Sequence, residues 1–347
     1  MSRARPFGVL GRATGSKYRV TLAAMDVVAL SELDAARRGA VTALLRRADA
    51  ADDHPPLPEP QYHALADDGG TQHEGRLVLA ERADDDRALA GFALLTPARD
   101  GSTAIHVVID PALRNGGGED GAGSALASEL TSAAVALADR DGTGRPLHLW
   151  AMHAGPADDE RAEDNGFVPE RDVIQMRVPL PLADDVLRAT RPLATRPFVP
   201  GKDDEAWLRV NNRAFAEHPE QGSWTLEQLH ERLAADWVDL EGFLVADDPD
   251  DREGRGLIGF CWTKIHRNRD PVLGEIYVIG VDPSHHGGGL GRALTVAGLN
   301  SMADRGVHVG MLYTDDSNEA AVALYGRLGF TVDHVDRSYR RTGAGRP

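Results

Sequence analysis

Val281-Asp282-Pro283-Ser284-His285-His286-Gly287-Gly288-Gly289-Leu290-Gly291-Arg292 leaves a β-rich run through an Asp-Pro, crosses three consecutive glycines and opens into an apolar helical pattern. Glycine lets a backbone approach a ligand closely. The free amides at a helix amino terminus point at bound anions, and the helix dipole favours negative charge there. A pyrophosphate suits such a loop. It is not a Walker loop, since Gly-Lys-Ser/Thr is missing, and Arg292 and Leu294 stand where the dinucleotide fingerprint needs a third glycine. The same residues also suit a plain turn and helix start, and the loop alone does not choose between the two.

The neighbouring segments supply a fold. Asp203 to Phe215 has helical spacing, with Trp207, Val210 and Phe215 on one side, and Thr225 with Gln228 forms a capping box for a helix through Leu233. β-like runs follow at Phe243 to Ala246, Leu257 to Ile265 and Glu275 to Val281. After the glycine loop come a helix from about Leu290 to Arg305, a strand His308 to Tyr313, a helix Asn318 to Leu328 and a strand Phe330 to Tyr339. This order predicts an α/β (α+β) fold with a central mixed β-sheet flanked by helices.

The pattern recurs. Gly91-Phe92, Asp110-Pro111 and Gly166-Phe167 repeat as Gly259-Phe260, Asp282-Pro283 and Gly329-Phe330, in the same order and at a near-constant offset. The order and offset favour a tandem duplication over coincidence in a Gly-rich chain. The expected division is a loose extension over 1–18, a first domain over 19–180, a Pro-rich linker over 181–200 and a second domain over 201–347. Prolines 179, 181, 192, 197 and 200 mark the joint. Asp84-Asp85-Asp86 and Asp247-Asp248-Pro249-Asp250-Asp251 read as solvated hairpin tips.

Composition narrows the chemistry. The chain has 347 residues, Asp+Glu 54 against Lys+Arg 38, and a formal charge of −16. Such a surface repels phosphate backbones and anionic headgroups, so neither a nucleic acid nor a membrane is expected as partner. Cys261 is the only cysteine, which excludes an internal disulfide and a cysteine zinc site. No metal site is expected: His285 and His286 lack a visible third ligand. No run reaches the eighteen or so apolar residues of a membrane helix, and Met1 to Arg19 lacks the apolar core of a secretory signal. A cytoplasmic monomer acting on small molecules is expected.

The strand, the Asp-Pro, Gly289-Leu290-Gly291 and the following helix resemble the acyl-CoA pyrophosphate loop of the GNAT acetyltransferase superfamily. Asn211-Asn212, His218-Pro219-Glu220-Gln221-Gly222, Gly259-Phe260-Cys261-Trp262-Thr263-Lys264, Gly274-Glu275-Ile276-Tyr277-Val278 and Gln175-Met176-Arg177 resemble, more narrowly, the mycothiol synthase family of tandem GNAT proteins. The likeness is strong from Leu208 to Phe330 and carried mostly by layout before that. It implies two GNAT-like domains, the second catalytic, with acetyl-CoA as donor and a cysteinyl-glucosaminyl-inositol as acceptor, joined in a ternary complex.

The resemblance also implies residue roles. Glu275 is the base for the amine and Tyr325 the acid for the CoA sulfur. Backbone of Ile279, Gly280 and Val281 meets the pantetheine arm, His286, Gly287, Gly288, Gly289, Leu290, Gly291 and Arg292 hold the pyrophosphate, and Asn318, Glu319, Ala320, Ala321, Val322 and Ala323 line the same arm. Val107, Val108 and Ile109 are the matching cofactor contacts of the first copy. Glu59, Glu220, Lys264, Glu275 and Tyr313 contact the acceptor. Two departures stand out. His286-Gly287-Gly288 replaces the basic residues usual before the loop glycines, and Glu119 and Asp120 follow an inserted Gly116-Gly117-Gly118 in the first copy, where they would repel a pyrophosphate. The alternatives are a GNAT enzyme for another small amine or peptide amino terminus, and an acyl-CoA sensor without catalysis.

Overall fold

Alternation of apolar runs with helical segments gives mixed β-structure flanked by helices in each of two compact units. The computed structural model describes residues 19–22, 25–52, 54–66, 75–82, 88–98, 100–114, 122–216, 222–251 and 256–341. One unit takes in 1–151, 155–168 and 339–347; the other takes in 152–154 and 169–338. The expected extension over 1–18 and the insertion at Gly116 to Asp120 lie outside the described residues.

The first unit runs β1 (Arg19–Leu22), β2 (Met25–Leu30), α1 (Ala35–Asp52), α2 (Glu59–Ala66), β3 (Arg76–Arg82), β4 (Leu89–Pro97), β5 (Thr103–Ile109), α3 (Pro111–Arg114), α4 (Ala122–Arg140), β6 (Leu147–Ala151) and α5 (Pro156–Asp164). Strands β1 to β6 lie in sequential order, antiparallel except for the parallel β5–β6 pair. Val41, Leu44 and Leu45 of α1 meet Leu77, Leu79 and Phe92 of the sheet in one core.

After residues 152–154 the second unit takes in nearly all of β7 (Val168–Pro179), followed by α6 (Asp184–Arg188), β8 (Arg196–Pro197), α7 (Asp204–Ala214), α8 (Leu226–Leu233) and β9 (Phe243–Asp247). Then come β10 (Leu257–His266), β11 (Leu273–Val281), α9 (Leu290–Ala303), β12 (Val309–Asp315), α10 (Glu319–Gly326) and β13 (Thr331–Arg341). Its strand order is β13-β7-β12-β11-β10-β9-β8. Period-two alternation sorts β10 between two cores: Phe260 and Trp262 face Trp207 and Phe243, while Cys261 joins Leu294 and Leu299 of α9. The predicted capping box is formed, with the Gln228 amide donating to Thr225 Oγ1 at 3.3 Å and the Thr225 amide donating to Gln228 Oε1 at 2.9 Å.

The stretch 181–200 lies wholly inside the second unit, where Val186, Leu187 and Leu193 pack on the α9 core. Strand β7, expected to close the first domain, runs antiparallel to β12 from Val173↔Asp315 to Pro179↔Val309. The reason is its alternation: Ile174, Met176 and Val178 are buried beside Leu312, and the ladder satisfies the backbone along one edge of β12.

The repeated anchors hold equivalent turns. The Asp110 amide donates to the Ala90 carbonyl and the Asp282 amide to the Ile258 carbonyl, both at 2.9 Å. Arg47 of α1 pairs with Asp110 at 2.8 Å, as Arg213 of α7 pairs with Asp282 at 3.1 Å. A Cβ on Gly91 would lie 2.8 Å from the Val108 oxygen and 3.0 Å from Leu130 of α4; one on Gly259 would lie 2.9 Å from the Gly280 oxygen and 2.7 Å from Leu294 of α9. Helix α4 in the first unit and α9 in the second therefore sit too close to the sheet for any side chain at either glycine.

Candidate active site

Parallel pairing of β11 with β12 covers only Leu273↔Val309, Gly274↔Gly310 and Glu275↔Met311. Beyond that rung β11 continues to Val281 along β10, and β12 continues to Asp315 along β7. The sheet therefore opens past Glu275. Along Ile276 to Val281, the β11 edge on the β12 side has no strand partner among the described residues, and its backbone can receive an extended ligand as an added strand. Ile279, Gly280 and Val281 lie on this edge, and the glycine loop follows at its far end.

The loop is built to expose backbone. Asp282 accepts from the Ser284 amide at 2.9 Å and the Ser284 hydroxyl at 2.5 Å. Burial opposes ionisation of Asp282, yet the Ser284 bonds and the Arg213 charge outweigh it and hold the carboxyl below its ordinary range. Gly287 and Gly289 have φ of 84° and 73°, left-handed values that favour glycine, and Gly289 is the N-cap of α9. His286 to Gly289 are exposed. His286 Nε2 lies 3.2 Å from the Val281 carbonyl oxygen. Arg292 turns away to α6, donating to Thr190 Oγ1 at 3.0 Å and to the Val186 carbonyl at 3.3 Å. The cation beside the glycines is instead Arg191, whose guanidinium donates to the Gly288 carbonyl at 2.9 Å.

Glu275 and Lys264 face each other across β11 and β10. The Lys264 ammonium lies 4.7 Å from the Trp237 ring centre and 5.8 Å from that of Tyr277. His266, two residues further on the same face of β10, places Nε2 2.7 Å from Glu275 Oε2. Tyr313 of β12 accepts from Gln175 Nε2 at 2.7 Å, and Arg177 donates to the Gln175 oxygen at 2.7 Å. Burial, with the charges of Glu275 and Asp336, raises the Tyr313 phenol well above its usual range. Glu275, Lys264 and Tyr313 thus share one neighbourhood. Glu59 opens α2 in the first unit, 3.7 Å from His63 Nε2, and Glu220 lies outside the described residues.

Tyr325 is 7% exposed in α10, its ring centre 5.6 Å from that of Phe330. Burial, with Cys261 nearby, pushes its phenol up to about 12, so it carries its proton at neutral pH. Asn318 caps α10 by accepting from the Ala321 amide at 3.1 Å; Glu319 and Ala320 are exposed, Ala321 and Val322 partly buried, and Ala323 exposed. A Cβ on Gly291 would meet Leu324 at 3.8 Å and Val281 at 3.9 Å, so the end of β11, the start of α9 and α10 converge there. Cys261 is fully buried and its thiol is pushed up to about 12, which removes it as a nucleophile at neutral pH. Among the described residues no group of His, Cys, Asp and Glu is arranged to hold a metal, and no helix is long and apolar enough to cross a membrane.

The Acetyltransferase (GNAT) family matches residues 206–330. The chain is 39% identical over 310 residues to a mycothiol acetyltransferase of Arthrobacter sp. (strain FB24), covering 86% of this chain and 90% of that protein. It is 43% identical over 298 residues to a mycothiol acetyltransferase of Thermomonospora curvata, covering 81% and 92%. It belongs to the mycothiol acetyltransferase family. Solved structures share the fold: a GCN5-related N-acetyltransferase from Sphaerobacter thermophilus (TM-score 0.64, 22% identity, 92% of this chain and 96% of that one) and a tandem GNAT protein from the clavulanic acid biosynthesis pathway (TM-score 0.63, 15% identity, 93% and 100%).

Within this member of the mycothiol acetyltransferase family the first unit repeats the opening but not its side chains. β5 pairs with β6 only from Thr103↔Leu147 to His106↔Trp150, so Val107, Val108 and Ile109 also lie beyond the paired rungs. The loop residues 115–121 are outside the described residues. Sequence reading missed Arg191 and His266. The alternation of Lys264 with His266 on one strand face was the signal for the second; Arg191 had none, because it lies in the stretch read as a linker.

Proposed function

We propose that the second unit transfers the acetyl group of acetyl-CoA to the cysteine amine of a cysteinyl-glucosaminyl-inositol, giving mycothiol. The observation that carries this reading is the opening of β11 from β12: a carboxylate stands on its last paired rung and an anion-ready glycine loop at its far end. The unpaired β11 edge fits an amide-containing arm, and the exposed loop backbone with Arg191 fits a pyrophosphate. The acceptor's hydroxyls and ammonium suit Glu275, Lys264 and Tyr313. Membership in the mycothiol acetyltransferase family supports this acceptor over other amines.

Each proton has a place to go. Glu275 accepts a proton from the acceptor ammonium, directly or through water, leaving a neutral amine to attack the thioester carbonyl. A β11 amide at the opening donates to the carbonyl oxygen as it becomes negative. The C–N bond forms, the C–S bond breaks, and the Tyr325 phenol gives its proton to the departing sulfur. The phenol regains a proton from the amide nitrogen through solvent, and Glu275 releases the proton it accepted to water. Mass spectrometry of the purified chain with acetyl-CoA and a panel of amines tests the reading. The expected result is one added acetyl on the cysteinyl pseudodisaccharide and much slower acetylation of free cysteine and peptide amines. Equal rates on all amines would overturn the acceptor assignment, and no transfer to any would overturn the reaction.

A further inference from the structure

We propose that His266 is the positioning residue for Glu275: it holds one carboxylate oxygen so that the other faces the acceptor amine. This rests on the acetyl-transfer reading above. Glu275 faces Lys264 across the strand pair, and His266 faces Leu273, so the imidazole reaches the carboxylate along the diagonal of one sheet face. The contact is 2.7 Å from Nε2 to Oε2, between side chains only 19% and 13% exposed. A glutamate has three rotatable bonds, and at the mouth of an opening in the sheet an unheld carboxylate spreads over several rotamers. One short bond from a strand-borne ring removes that freedom.

The arrangement also separates two tasks. With Nε2 carrying hydrogen, Oε2 accepts from the imidazole, and Oε1 remains to take the amine proton. The imidazole gains and loses nothing over the cycle. Across the opening, the Tyr313 oxygen is engaged by Gln175, so this neighbour of Glu275 is itself held. Loss of the imidazole bond should therefore cost turnover through misplacement of the base while leaving the acetyl-CoA edge of β11 intact.

A double-mutant cycle on the full chain tests this. His266→Leu should lower kcat by about 10- to 100-fold, the usual effect of a misplaced catalytic group, with the acetyl-CoA Kd unchanged. His266→Gln, whose amide donates to the same oxygen, should stay within a few-fold of wild type, whereas the shorter His266→Asn should not. In a Glu275→Gln background, His266→Leu should cause no further loss. Wild-type kcat in His266→Leu, or an equal loss in both backgrounds, would overturn the assignment and leave a structural histidine. If His266→Leu does not fold, as judged by its melting transition, the Gln against Asn contrast carries the same decision. Failure of wild type to acetylate any amine would instead remove the acetyl-transfer reading itself, and full activity of Glu275→Gln would remove the base.

Discussion

Arg47 on Asp110 and Arg213 on Asp282 hold the same strand-to-helix turn in the two units, yet the rungs leading up to it differ in kind. Counting five rungs along β4 from the Gly91↔Ile109 pair, Thr96 faces Ala104; five along β10 from Gly259↔Val281, Lys264 faces Glu275. The position of Tyr325 differs likewise. The Phe167 amide donates to the Ala162 carbonyl at 2.9 Å and the Phe330 amide to the Tyr325 carbonyl at 3.1 Å, so Ala162 occupies the place of Tyr325. Glycine at a close approach and a capped aspartate are demands of the fold, and both units meet them. On the proposed reading, acyl transfer uses the carboxylate and the phenol at these two positions, where the first unit has Ala104 and Ala162.

The largest effects should come from the two positions where the units diverge. Glu275→Gln should lower turnover by about 10²- to 10⁴-fold, the range for a positioned acid or base, with acetyl-CoA binding little changed. Raising the pH should recover part of that loss, because the amine becomes neutral without help. Tyr325→Phe should lose turnover comparably without alkaline recovery, since its task is at the sulfur. A pH–rate profile of each variant checks both. Equal alkaline recovery would break the assignment of separate protons, and undiminished turnover in either variant would return its position to the status of Ala104 or Ala162.

A smaller effect should follow from strain in the loop. Gly289 has φ 73°, so Gly289→Val forces a β-branched residue into the left-handed region at about 1–3 kcal/mol. That corresponds to roughly 5- to 150-fold weaker acetyl-CoA binding if the strain falls on the bound geometry. Gly142, at φ 63° in the turn after α4, is the control in the first unit. Gly142→Val should lower the melting temperature and spare kcat. A matching loss of kcat would mean that catalysis draws on the first unit.

Arg191 sharpens the comparison at the level of one cation. Removing its charge in Arg191→Ala should weaken acetyl-CoA binding by about 10-fold, the worth of one charge-assisted hydrogen bond. Binding of acetyl-pantetheine, which lacks the pyrophosphate, should be unchanged. Titration of both ligands calorimetrically checks this, and equal weakening of both would show that Arg191 only shapes the loop.

The smallest effect on catalysis should come from His106, which faces Leu94 three rungs along β4, where β11 has Val278 facing Trp262. It is 3% exposed, its Nδ1 has no hydrogen-bond partner among the described residues, and burial lowers its pKa from 6.5 to about 4. The folded chain thus resists a proton that the unfolded chain accepts. Stability is full above about pH 6.5 and falls as the pH drops toward 4, by on the order of 3 kcal/mol at most. His106→Leu should flatten that part of the melting-temperature profile and leave kcat at neutral pH unaltered. An unchanged acid slope would place the pH sensitivity elsewhere.

Much of the second unit was legible residue by residue. The Thr225 and Gln228 box, the β-like runs and the glycine loop all depend on neighbours a few positions apart, and alternation or 3.6-residue spacing records them directly. The repeated Gly-Phe and Asp-Pro anchors were legible for the same reason. The membership of β7 was not. Its alternation of Ile174, Met176 and Val178 announces a strand with one buried face, but nothing in the segment names β12 as its partner.

Local order therefore determined the elements, their sequence, the Gly-Phe and Asp-Pro anchors and the loop that suits a pyrophosphate, because each is a short-range pattern of backbone freedom and side-chain spacing. Tertiary structure alone decided where the sheet opens, since that depends on β11 and β12 parting after Glu275. It alone set Gln175 against Tyr313 across 138 residues, Arg191 against Gly288 across 97, and His266 on Glu275. Such meetings are fixed by strand register and helix docking, which bring distant residues within hydrogen-bond reach of each other without leaving any spacing between them in the chain to read.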